Sequence, residues 1–280
     1  MKTIKRFIIF IAIIFLIGGS VCLAFAIKNN AFAQKDTNDK TYEIEGDFSN
    51  LNIDLSIDDF EIKLSTDGKN SLVCQEYENM SHSVLVKDNS LNITGKDERK
   101  WYEKIFILDW NFKPIKTILY LNKDSFENIE INGSVGSVLV GDDFNFTNAK
   151  IKLSTGSLLF SANVISSLNI ELTTGSVRID NVNCETFKAK SSTGDIRLNN
   201  VIASKSMNIE ASTGNVNLNE VDAETIYVKV STGNISGVIL TSKTFEAHAS
   251  TGNVNVPKDT TGGLCTLIAS TGNINVSIKK

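Results

Sequence analysis

Histidine and proline are almost missing from this chain of 280 residues; each occurs twice. With two imidazoles to share, a multi-histidine metal centre is hard to assemble, and neither a cofactor nor a metal site is expected. Basic charge is also in short supply. A formal net charge of -4 and a pI near 5.4 argue against a nucleic-acid groove, which needs clustered Lys and Arg to release counterions from phosphate. Of four cysteines, Cys22 stands in an apolar leader, and Cys74, Cys184 and Cys265 cannot all pair with one another. No CxxC occurs, and because exported proteins can do without disulfides the count leaves the compartment open. What is present is 41% hydrophobic and 21% charged. That is enough chain for one sizeable core or two modest ones, and it fits neither disorder nor a wholly membrane-embedded protein.

The first charges are Lys2, Lys5 and Arg6, and an uncharged, mostly apolar run follows from Phe7 to Ile27. At about 1.5 Å per residue such a run spans roughly 30 Å, the thickness of a bilayer core. The pattern predicts a cytoplasmic segment 1–6, a single transmembrane helix or signal anchor over 7–27, and an extracellular remainder at the cell membrane. The alternative is secretion after cleavage behind Ala33, since Ala31-Phe32-Ala33 has the small-x-small form; the run is longer than the usual secretory one of about 7–15 residues. Lipidation of Cys22 is a third option, with a poor approach in Ser20-Val21. Residues 28–40 are polar and read as a linker.

The tripeptide Ser-Thr-Gly and its variants return throughout the second half. Gly136, Gly156, Gly175, Gly194, Gly214, Gly233, Gly252 and Gly272 are separated by 19 or 20 residues. Two positions after each stands an apolar residue: Val138, Leu158, Val177, Ile196, Val216, Ile235, Val254 and Ile274. Before the glycine a second alternating segment carries Leu168, Phe187, Met207, Ile226, Phe245 and Cys265 in one column. Period-two alternation means strands with one buried face, and a copy this short has no room for a strand-helix unit of about 30 residues. The reading is an all-β parallel solenoid, 19–20 residues per coil over 126–280, in which successive copies stack at about 4.8 Å and like residues lie on like. Glycine then marks a positive-φ corner, and the hydroxyls before it can bond to backbone or to their stacked copies. A phosphate cradle is excluded, for it needs a strand-to-helix context and a Lys, as in GxxxxGK[ST].

The repeated "STGNVNL", "STGDIRL" and "TTGSVRI" resemble the Ser-Gly-Asp-Ile/Val repeats of a bacterial family of unknown function whose members are regarded as candidate adhesins. The resemblance covers roughly residues 45–280 and implies an exported or anchored protein with a right-handed β-helix-like fold. It brings no catalytic residues. Asn stands at 215, 234, 253 and 273 where the family more often has Asp.

Residues 41–125 alternate without keeping the step and read as irregular first coils and a cap. Within them Trp101, Tyr102, Phe106, Trp110 and Phe112 concentrate the aromatics. They serve either as a cover for the end of the core or as an interface with membrane or partner. On the outer face of the second strand, Glu171, Lys190, Glu210, Lys229 and His248 form a column of alternating charge that supports parallel register. The outer face of the first strand is a nearly neutral strip of Asn215, Asn217, Asn234, Asn253, Asn255 and Asn273, whose amides either bond to each other or take sugar hydroxyls. Next to it Arg178 and Arg197 share a column with Asp195 alongside, an arrangement open to an anion or uronate. Glycoside hydrolysis wants two carboxylates about 5–9.5 Å apart, and this face offers Asp195 alone. Cys184 aligns with Ala203 and Ala223, Cys265 with Phe245, about four coils apart. The last strand leaves an edge guarded by Lys279 and Lys280, with self-association open.

Together these features predict a non-catalytic cell-envelope surface protein, an adhesin-like binding or scaffold module. Its expected partners are the membrane, through the N-terminal helix, and an envelope glycan or another membrane protein; nucleic acid is not among them. The alternative is an accessory protein of a membrane stress-response or transport system, and the third reading a polysaccharide-acting β-helix enzyme.

Overall fold

The computed structural model describes residues 19–20, 37–99, 114–258 and 261–279. The expected membrane segment lies outside them except for Gly19 and Ser20, and the group Trp101, Tyr102, Phe106, Trp110 and Phe112 lies wholly outside. Among the described residues no helix is long and apolar enough to cross a membrane.

The N-terminal part contains β1 (Asn38–Ile44), β2 (Asn50–Leu64), β3 (Asn70–Glu76), β4 (Met80–Lys87), β5 (Ser90–Asp97) and β6 (Ile115–Leu121). The repeats supply β7 (Ser125–Val135), β8 (Val138–Val140), β9 (Asn145–Thr155), β10 (Leu158–Phe160), β11 (Asn163–Thr174), β12 (Val177–Thr193), β13 (Ile196–Thr213) and β14 (Val216–Thr232). The chain ends with β15 (Ile235–Ile239), β16 (Lys243–Thr251), β17 (Val254–Asn255), β18 (Gly263–Thr271) and β19 (Ile274–Ile278).

Alternation decides what each coil buries. In β13 the side chains of Ile196, Leu198, Val201, Ala203, Met207, Ile209 and Ala211 all point inward. The phase slips once, at Asn199-Asn200, and there the strand bends: Asn200 has φ 53°, as Asn181 has 57° and Glu220 56° in the same position of neighbouring coils. This is the second corner of the coils that contain β12, β13 and β14. Asn takes the left-handed region more readily than most residues. The first corner is the glycine, with φ of +132° at Gly194. Between corners the strands pair in parallel and in register, Val177 on Ile196 on Val216 on Ile235. Side chains equivalent in sequence therefore run in rows through the interior, as the solenoid reading requires. At the N-terminal end the rows widen to hold phenylalanine, and Phe48, Phe126 and Phe146 stack at successive centroid separations of 6.1 Å.

The order of the coils departs from the order of the sequence at one place. Expected stacking runs from Gly233 to Gly252 to Gly272. Instead β14 and β15 pair with β18 and β19, and β16 and β17 pair on the far side of those. The glycine row reads Gly214, Gly233, Gly272, Gly252. The last repeat is thus inserted between its two predecessors, and the edge expected at β19 is formed by β16 and β17. A latch accounts for the arrangement. The ammonium of Lys243, at the start of β16, reaches Asp222 of β14 at 2.6 Å and Thr241 at 2.6 Å. Between these coils lie Gly262 and Gly263; a β-carbon on Gly263 would stand 1.8 Å from the Glu224 carbonyl oxygen, and one on Gly262 2.0 Å from that of Ser242.

At the opposite end β2 acts as the first coil. Its first half lies parallel between β5 and β7, and its second half pairs with β6 and β8. Residues read as irregular coils then turn antiparallel. β4 closes on β5 through Asp88-Asn89, both at positive φ, while β3 lies antiparallel to β6 and β1 to β3. Antiparallel ladders end the stack without another coil, and β1 and β4 become its edges.

Candidate functional site

From Asp195 onward the residue after the corner glycine builds a continuous hydrogen-bonded row. Asn215 donates both its backbone N–H and its amide to Asp195 Oδ1, at 2.9 and 3.3 Å, and Asn234 does the same to Asn215 Oδ1, at 3.0 and 3.2 Å. Asn273 then donates its backbone N–H to Asn234 Oδ1 and Asn253 to Asn273 Oδ1. The amides of this row are largely spent on the coil below. Two residues further on, Asn255 donates to Asn275 Oδ1 at 2.8 Å. A shallow recess of about 290 Å³ opens where Asp195, Arg197, Asn215, Asn217, Asn234 and Ser236 meet. Of the residues expected to form a ligand surface, it gathers Asp195, Arg197, Asn215, Asn217 and Asn234. Arg178 lies one coil away, and Asn253, Asn255 and Asn273 lie further along the row. Each arginine has its own carboxylate: Arg197 donates to Asp195 at 2.6 Å and Arg178 to Asp180 at 2.7 Å. Asp180, not counted from the sequence, removes the unmatched positive charge on which an anion site would rest.

A larger groove lies on the other strand face. It encloses about 650 Å³ and crosses the coils of β2, β7, β9, β11 and β12. One wall is the charged column, in which Lys152 meets Glu171 at 3.3 Å and Lys190 follows, with Lys188 beside it in the row of Asn169; the other is the hydroxyl row of Ser134, Ser154, Thr173 and Ser192, the first residues of the repeated tripeptide. The hydroxyls of the tripeptide thus face the groove, and the inter-coil ladder is made by the residue after the glycine. Glu171, Lys190, Glu210 and Lys229 follow one another as expected. Ile268 separates Lys229 from His248, because of the transposed final coils. The groove is illegible from single columns, for it needs the charged column and the corner row to converge. A small residue at Gly133 assists, where a β-carbon would lie 2.7 Å from Leu153 Cδ2.

A third polar group is buried in the cap. His82 Nε2 is 2.9 Å from Asp58 Oδ1 and His82 Nδ1 is 3.1 Å from Glu76 Oε1. Glu76 Oε1 also accepts from the His82 backbone N–H at 2.7 Å and from the Tyr42 hydroxyl at 2.8 Å, while Oε2 meets Lys40 at 2.7 Å. Burial works against a charged His82, but the hydrogen bonds with Asp58 and Cys74 outweigh it and push the imidazole up to about 10. Burial likewise works against a charged Glu76, and the bonds from Lys40, Tyr42 and His82 hold its carboxyl below the ordinary range. The sequence carried one signal of this cluster. Leu72, Cys74 and Glu76 share the inward phase of β3, and a glutamate there demands a buried partner. Cys184 and Cys265 are buried and free, three coil steps apart through β13 and β14, one fewer than expected.

No curated protein matches the chain. Among solved structures, a candidate adhesin from Bacteroides fragilis is similar at 17% identity and TM-score 0.51, covering 88% of this chain and 98% of the other. A protein from Parabacteroides distasonis, named for lipid binding as a proposed role, is similar at 16% identity and TM-score 0.54 with the same coverage. At these identities the likeness is one of fold. The Toastrack DUF4097 family matches residues 48–261.

Proposed function

Because the chain belongs to the Toastrack DUF4097 family, we propose that it is an adhesin-like, non-catalytic binding module of the cell envelope, held at the membrane by residues 7–27 and displaying its solenoid outside. The observation that carries this reading is the groove of about 650 Å³ crossing successive coils between a hydroxyl row and an alternately charged column. The hydroxyl wall of such a trough repeats a donor and acceptor at the coil spacing of about 4.8 Å, and the charged wall, Lys152, Glu171 and Lys190, returns to the same sign at every second coil. An extended polar chain, such as an envelope glycan, can therefore make the same contact several times along it. The candidate adhesin from Bacteroides fragilis, of the same fold, is in keeping with this role.

The test is titration of the full chain against cell-wall and capsular glycans. Lys188→Glu with Lys190→Glu changes the groove, and Asn217→Ala with Asn234→Ala changes the amide recess. The groove variant is expected to lose binding at least tenfold while the recess variant keeps it. Glycan binding indifferent to the groove variant, or no glycan bound at all, refutes the reading.

A further inference from the structure

The cap cluster has the composition of a metal site. The ligating atoms of Cys74, Glu76 and His82 all lie within 4.8 Å of one another, and all three residues are buried. Cys74 Sγ is 3.8 Å and His82 Nδ1 3.1 Å from Glu76 Oε1. Tetrahedral zinc, with bonds of about 2.0–2.3 Å, holds its ligands about 3.3–3.8 Å apart, so contraction of the longest separation by about 1 Å closes the set. The far side of the imidazole is already prepared. Asp58 Oδ1 accepts a hydrogen bond from Nε2–H, and Asp58 is itself fixed by the Thr117 hydroxyl at 2.8 Å and the Ser56 N–H at 3.0 Å. A carboxylate on one ring nitrogen that leaves the other for the metal is the usual outer-shell arrangement of histidine ligands.

We propose that Cys74 Sγ, Glu76 Oε1 and His82 Nδ1 bind one Zn²⁺ ion, with Asp58 as the positioning residue. The reaction balances in charge. Hydrated Zn²⁺ enters, the Cys74 thiol and the His82 Nδ1–H each give up a proton to solvent, and bonds to Cys74 Sγ, Glu76 Oε1 and His82 Nδ1 replace all but one of the ion's waters, the water that stays being the fourth tetrahedral ligand. The buried net charge is unchanged, with Asp58, Glu76 and Lys40 as before. This matters because an uncompensated charge at this depth is costly. A purely ionic pin between strands has no use for a thiol, whereas zinc favours one. Cys74, His82 and Asp58 are also the residue types of a thiol nucleophile with its base and orienting group. A substrate has no way to a sulfur that is 1% exposed, while an ion needs only the displacement of β1, which among the described residues pairs with β3 alone and whose Lys40 and Tyr42 cover Glu76.

The experiment is titration of the full chain, reduced and solubilised in mild detergent, with Co²⁺ and then Zn²⁺. One Co²⁺ per chain is expected to give a thiolate-to-cobalt charge-transfer band. Zn²⁺ abolishes the band, and a pH indicator records the release of two protons per ion. Cys74→Ser loses the band. Asp58→Asn retains it with affinity lower by about 10- to 100-fold, and His248→Ala, at the other histidine of the chain, leaves affinity unchanged. Circular dichroism of Cys74→Ser separates loss of the ligand from loss of the fold. If that variant unfolds, the wild-type band and the Asp58→Asn shift decide. A wild-type chain without a charge-transfer band at saturating Co²⁺, or a folded Cys74→Ser variant that keeps the band, overturns the proposal.

Discussion

Replacing Gly194 by alanine tests the stacked corner directly. A β-carbon at this position would lie 1.6 Å from the carbonyl oxygen of Gly175 and 2.6 Å from its carbon, whereas real β-carbons are not found within 3.0 Å of another heavy atom. The two coils must part by roughly 1.4 Å at the corner to reach that limit. The strands there are held by Gly175 N–H to Thr193 O at 2.8 Å and Val177 N–H to Asp195 O at 2.9 Å, so parting them strains both bonds. A φ of +132° adds its own cost. Backbone in a region reserved for glycine costs about 1–3 kcal/mol and overpacking about 1–3 kcal/mol, giving a loss on the order of 2–6 kcal/mol. Gly141→Ala is the control, since its β-carbon meets nothing within 4 Å, and a change of under about 1 kcal/mol is expected there. Urea denaturation followed by circular dichroism gives the magnitude. Hydrogen exchange read by mass spectrometry gives the location, expected at 175–214 because coils depend mainly on their neighbours. A Gly194→Ala chain as stable as the Gly141→Ala chain, with no local gain in exchange, would show that the corners are not packed against one another.

Three further outcomes are expected. Glu220, at φ 56° in a corner column otherwise held by Asn181 and Asn200, is relieved by Glu220→Asn, which raises stability by about 1 kcal/mol; the lost half-exposed contact with Lys279 at 2.9 Å offsets a few tenths. A lower urea midpoint contradicts this. Removing residues 261–280 deprives β16 and β17 of β18 and β19, the strands they pair with among the described residues, so exchange in 243–255 should rise to the unfolded rate while 196–213 stays protected. Unchanged protection in 243–255 counts against the transposed order. Burial pushes the Cys184 thiol up to about 12, and the Cys265 thiol to about 12 despite Lys243 nearby. Iodoacetamide at pH 8 should therefore leave both residues unmodified until urea unfolds the chain, as peptide mapping will record; rapid native alkylation would refute the packing of these rows.

The rows of Val177, Ile196 and Val216 were legible because a repeated period converts sequence position directly into depth in the core. Transposition of the last two coils was not. Val254 and Ile274 offer nearly the same side chain to Ile235, so column matching gives no preference, and the choice rests on Gly262, Gly263 and the reach of Lys243 to Asp222. The corner asparagines Asn181 and Asn200 were legible only as polar interruptions, since nothing in the alternation reports the sign of φ. Of the site, the sequence placed Asp195, Arg197, Asn215, Asn217 and Asn234 on one face but missed Asp180, the second partner that makes the arginines self-sufficient. The His82 cluster draws on β1, β2, β3, β4 and β6; β2 meets β6 in parallel, but β1, β3 and β4 are attached by antiparallel ladders for which the repeat gives no template, and Glu76 at an inward phase was its sole trace.

Insertion of β18 and β19 between their two predecessors makes an earlier stretch of chain wait for a later one. The segment 243–255 is made before the strands that will hold it, and it finds its place only once β18 and β19 have followed. β19 is then clasped on both flanks, by β15 and β17, and the rim at this end of the stack is the two-residue β17 and the short β16.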